Sequence, residues 1–71
     1  MNLIATINTL VSDVDCATIK SAIYSALLVE AVISRDSGCT EITLKNAHVS
    51  DSVDFEGVID LLGLDAAYTI A

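Results

Sequence analysis

A mainly α-helical domain, with an α+β arrangement as the alternative, is the fold class this 71-residue sequence predicts. Three observations predict it. Apolar residues recur at helical spacing in three segments, the longest of which lacks both proline and glycine. Only one short segment alternates as a strand does. The expectation is a single domain over 1–71 with about three helices and one short strand or hairpin near residues 40–49.

Residues 1–14 place Leu3, Ile7, Leu10 and Val14 at near-helical intervals. Ile4 and Val11 widen that stripe, and Asn2, Thr6, Asn8 and Thr9 lie opposite, which predicts a first helix. The β-branched content leaves a strand as the second choice. Ser12 to Asp15 reads as a break, with Asp15 as N-cap of the next helix.

Residues 16–34 are the strongest helical prediction. Cys16, Ile19, Ile23, Ala26, Leu27 and Ile33 fill one face, and Leu28 and Val32 extend it until the second half is apolar nearly all round. Such a helix is expected at the centre of the molecule or at a subunit interface. On this helical wheel Glu30 projects from the apolar face. A carboxylate there must be paired, protonated or at a cavity edge: it bonds a donor of another chain, pairs with Lys20, Arg35 or Lys45, or is simply exposed at the end of the core.

Arg35 to Gly38 ends that segment. Thr40, Ile42 and Leu44 then alternate with Glu41, Thr43 and Lys45 as in a half-buried strand. Its expected pairing is with residues 47–49 or with its own copy in a second subunit. A third helix is expected over 52–62, capped by Asp51 or Ser52, with Phe55, Val58, Ile59 and Leu62 inward. Gly63 stands where a left-handed cap belongs, with Leu64 making the accompanying contact. Residues 65–71 read equally as a last turn or a strand.

Composition bounds the function. Hydrophobic residues make up 54% and charged ones only 18%, so a chain this short holds more apolar surface than its own interior shelters. Association is the expected remedy, most simply as a homodimer. The longest apolar stretch is too short to span a bilayer, so no membrane insertion is expected. Three basic residues against ten acidic ones argue against direct binding to nucleic acid. Two cysteines, Cys16 and Cys39, without a signal segment read as reduced thiols in a cytoplasmic protein, with a Cys16–Cys39 disulfide as the alternative. His48 reads as a surface residue rather than half of a Cys–His dyad.

Five carboxylates and no cation follow Lys45. Glu56 and Asp60 stand four apart on one helical face, where like charges repel by a few tenths of a kcal/mol. That pattern suits either solvation or a basic partner. The leading expectation is therefore a non-enzymatic, cofactor-free interaction module: an adaptor, regulator or inhibitor of a protein partner. Leu28, Glu30 and Val32 are its association residues, and Glu56 and Asp60 its electrostatic contacts. The first alternative is an acidic DNA mimic that inhibits a nucleic-acid-binding protein.

The run Asp51-Ser52-Val53-Asp54, with Ile42-Thr43 upstream and Leu61-Leu62 downstream, resembles the attachment site of acyl carrier proteins. The resemblance covers about twenty residues. It implies a helical fold and phosphopantetheine carried on Ser52. Val49 stands where those proteins have glycine, and the chain after Ser52 is too short for their remaining helices.

Overall fold

The computed structural model describes residues 1–71 and contains two helices and four strands. Strand β1 (Leu3–Ile7) comes first, where a helix was expected. Leu3 and Ile7 fit either period, but Ala5 decides between them. Its side chain is buried together with theirs, while Ile4 and Thr6 face the other way. The β-branched residues of this segment are accommodated on a pleated surface.

Helix α1 (Asp13–Leu27) starts one turn earlier than expected. Ser12, not Asp15, is its N-cap, and the Ser12 hydroxyl accepts from the Asp15 amide at 3.2 Å. The helix also stops well before residue 34. Leu28 takes a left-handed conformation at φ 57°, and its amide donates to the Tyr24 carbonyl at 2.8 Å. The apolar run of residues 26–33, interrupted by Glu30, is therefore divided between two elements. Its second half belongs to strand β2 (Val32–Asp36).

Strand β2 turns directly into strand β3 (Cys39–Leu44) through Ser37 and Gly38, both at positive φ (53° and 78°). This is the two-residue primed turn whose twist matches that of paired strands. The alternation expected for β3 is present: Thr40, Ile42 and Leu44 are buried. Its pairing differs from expectation. β3 lies between β2 and β1, not beside residues 47–49.

Helix α2 (Asp51–Leu61) follows the expected third-helix segment closely, with Phe55 and Ile59 buried and Val58 and Leu62 packed against the core. Neither Asp51 nor Ser52 caps it. The Asp51 carboxylate accepts from the His48 amide, and the Ser52 hydroxyl donates to the Val49 carbonyl. Gly63 is left-handed at φ 74°, and Leu64 packs on the core. The tail is strand β4 (Ala66–Ile70).

The sheet order is β2-β3-β1-β4, with every neighbouring pair antiparallel. A β-α-β-β-α-β chain in that order is the ferredoxin-like arrangement, two split βαβ units interlocked around the central strands. The fold is thus α+β with two helices, which corrects the mainly helical, three-helix expectation. Leu3, Ala5, Ile7, Ile42 and Leu44 form one core with Ile19, Ile23, Phe55 and Ile59 from the helices. Thr40 is the one buried polar residue. Its hydroxyl donates to the Thr9 carbonyl at 2.8 Å and accepts from the Val11 amide at 3.0 Å, pinning the loop between β1 and α1.

Candidate protein-interaction surface

Both helices lie on one face of the sheet, because the buried side chains of β1 and β3 share one core with those of α1 and α2. The opposite face is left uncovered. Register places Val32, Thr43, Ile4 and Thr69 in one row across the four strands, and Ser34, Glu41, Thr6 and Ala67 in the next. These are small or β-branched residues apart from Glu41, all half-buried or exposed. Among the strand residues, Asp36 and Glu41 are the carboxylates on this face, and Lys45 follows at the far end of β3.

The two outer strands differ. Arg35, on β2, points to the helical side, where it donates to the Val11 carbonyl at 2.8 Å and pairs with Asp13. That pairing with Asp13, first as a hydrogen bond and then as a charge, holds the guanidinium still further toward its charged form. On β4 there is no charged residue, proline or glycine. Asn2 and Ala71 exchange both backbone hydrogen bonds, at 2.6 and 2.8 Å. By the alternation of an antiparallel ladder, Thr69 and Ala67 also bond to β1, and the N–H and C=O groups of Ala66, Tyr68 and Ile70 point away from the sheet.

Tyr68 lies beneath α2, its ring edge-on to Phe55 at 6.0 Å and 78°. The hydroxyl is buried and has no hydrogen-bond partner within the chain. Burial raises its pKa above the ordinary value near 10, and the negative charges of Asp60, Glu56 and Asp65 add to the shift. Beside it, a cleft of about 160 Å³ is lined by Ser52, Phe55, Glu56, Tyr68 and Ile70 among others.

The sequence-derived candidates fall into two groups that the fold keeps apart. Leu28, Glu30 and Val32 gather where α1 passes into β2, and Glu56 and Asp60 lie on α2. Leu28 is 77% exposed as the left-handed cap and is no part of a central seam. Glu30 is exposed in the connector, so the helical wheel that set it in an apolar face does not apply. It borders a shallow groove of about 390 Å³ with Lys20, Tyr24 and Ala31. Val32 opens the uncovered sheet face, and Glu56 and Asp60 are exposed on α2 as expected.

Sequence reasoning missed Tyr68 as part of a charged surface, and Thr43 and Ile4 as a sheet face. The alternation at 39–45 was the one available signal, since it leaves Thr43 outward. Cys16 and Cys39 are free and half-buried, and no group of three or more His, Cys, Asp or Glu side chains is placed to hold a metal ion. No helix is long and apolar enough to cross a membrane. The likeness to carrier proteins stops at the start of α2, which is followed by an edge strand rather than by further helices. Compared with known proteins, the chain matches no family model, no curated protein and no solved structure.

Proposed function

We propose that this protein is a non-enzymatic protein-interaction module that works as a homodimer, with the uncovered sheet face as the dimer surface. The observation that carries the reading is the row Val32–Thr43–Ile4–Thr69 lying open across all four strands. Ten large hydrophobic side chains are exposed on the single chain, which supports association in general. Charge selects the surface. A net charge of −7 opposes self-association, and the strands themselves set only two of the ten carboxylates on this face. A two-fold axis in the plane of the sheet, running across the strands, sets the Lys45 end of β3 over the Asp36–Glu41 end of the partner. Side chains this small allow two sheets to approach to the usual separation of about 10 Å.

The test is the mass in solution. The wild-type chain is expected to sediment as a dimer and Thr43→Glu as a monomer, because the substitution sets two like charges near the axis. Thr43 is only half-buried, so at a dilution where both chains are monomeric the variant's unfolding free energy is expected to stay within about 0.5 kcal/mol of wild type. A wild-type chain that remains monomeric at millimolar concentration overturns the reading.

A further inference from the structure

We infer that the free edge of β4 is a docking site for an extended basic segment of another protein, which joins the sheet as a fifth strand beneath the carboxylates of α2. The inference rests on the interaction-module reading but uses a surface other than the proposed dimer face.

Three features converge on this edge. The first is the backbone. Ala66, Tyr68 and Ile70 present unpaired donors and acceptors along a strand with none of the devices that usually protect an edge. The second is charge. Glu56 lines the cleft with Tyr68, the charges of Asp60 and Asp65 act on the same hydroxyl, and no Lys or Arg follows Lys45 anywhere in the chain. The third is the incomplete interior next to the edge. The Tyr68 hydroxyl is buried without a partner, and the cleft beside it is walled by Phe55, Ile70 and Glu56.

These features also fix the pattern of the occupant. A strand added beside β4 sends alternate side chains toward α2 and toward the open sheet face. Those on the helical side meet Glu56 and Asp60, so Lys or Arg belongs there. Those on the other side extend the surface of Ala67 and Thr69, so small or β-branched residues belong there. A second copy of this chain is the wrong occupant. Two β4 strands paired antiparallel, edge to edge, would place both α2 helices on the same face, carboxylates against carboxylates.

The experiment uses the full chain labelled for NMR and two synthetic peptides of about ten residues, one alternating Lys with Val and the other Glu with Val. The Lys–Val peptide is expected to slow amide exchange at Ala66, Tyr68 and Ile70 and to leave Ile33 and Arg35 unchanged. The double substitution Glu56→Lys, Asp60→Lys, at two exposed positions, is expected to weaken binding about tenfold. Ile70→Pro removes an outward N–H while sparing the ladder to β1, and is expected to weaken it as well. Equal binding of the Glu–Val peptide, protection at β2 instead of β4, full affinity in the double variant, or no protection at all would each overturn the inference. If the Lys–Val peptide fails on a chain that still sediments as a dimer, this inference falls alone. If the peptide binds a chain that is monomeric, the dimer reading falls and the docking edge stands.

Discussion

The two edges of the sheet are built from strands of equal length but managed in opposite ways. On β2, Arg35 turns a charge inward and ties it to the Val11 carbonyl and the Asp13 carboxylate, so a strand arriving at that side meets a fixed cation and its counter-ion. On β4 the strand is uncharged, and the charges that act on Tyr68 belong to Asp60 and Glu56 of α2 and to Asp65, which immediately precedes the strand. An inward-pointing charge is a recognised way to blunt an edge, so one side of this molecule is closed to pairing and the other is left open. The difference teaches that edge protection is local. It is assigned strand by strand, and a strand without it is a place where contact is tolerated.

The largest effect is expected from breaking the support of the closed edge. Thr40 pins the loop that supplies the Val11 carbonyl to Arg35 and leads into Asp13, the first residue of α1. Thr40→Val keeps the volume but strands the buried Val11 amide and the Thr9 carbonyl. A loss of about 2–4 kcal/mol is expected in urea unfolding. A loss below about 0.5 kcal/mol would show that the loop finds other partners.

Next comes the charge itself. Arg35→Ala should convert β2 into a second open edge. Self-association that grows with concentration is expected, with amide protection appearing at Ile33 and at the substituted residue. If sedimentation and exchange match wild type, the guanidinium does not protect the edge. The smallest effect sharpens the open side. The folded-state pKa of Tyr68 lies above its unfolded value, so its contribution is intact below about pH 10 and is lost as pH rises through the folded value. Wild type should therefore lose stability in alkali from about pH 10 upward, as the unfolded chain ionises ahead of the folded one. Tyr68→Phe should lose this component while matching or slightly exceeding wild type at neutral pH, because it also removes an unpartnered hydroxyl. Identical alkaline curves for the two chains would refute that account.

The parts legible in the sequence were those fixed by local pattern. Thr40, Ile42 and Leu44 announced β3, Phe55 and Ile59 announced the inner face of α2, and Gly63 marked its end. Two misreadings share a cause. Leu3 and Ile7 stand four apart, which satisfies a helix and a strand alike. The small residue Ala5, whose burial decides the matter, adds little weight to a hydrophobic stripe. In residues 26–33 no glycine or proline marks the break. Leu28 adopts the left-handed conformation that an L residue enters only at a cost of roughly 1–2 kcal/mol, so tertiary structure imposed it. The acidic surface was half legible. Glu56 and Asp60 were placed outward by helical period, but Tyr68 joins them only through pairing of β4 with β1, a contact between opposite ends of the sequence.

That long-distance pairing has a kinetic side. The Ser37–Gly38 hairpin is the one strand pair the chain can close locally, and β1 must wait for β3 on one flank and β4 on the other. Until both arrive, the segment Leu3–Ile7 is an unpaired, uncharged, β-branched sequence. A middle strand of the finished sheet is thus the strand most open to misassembly while the molecule is being made.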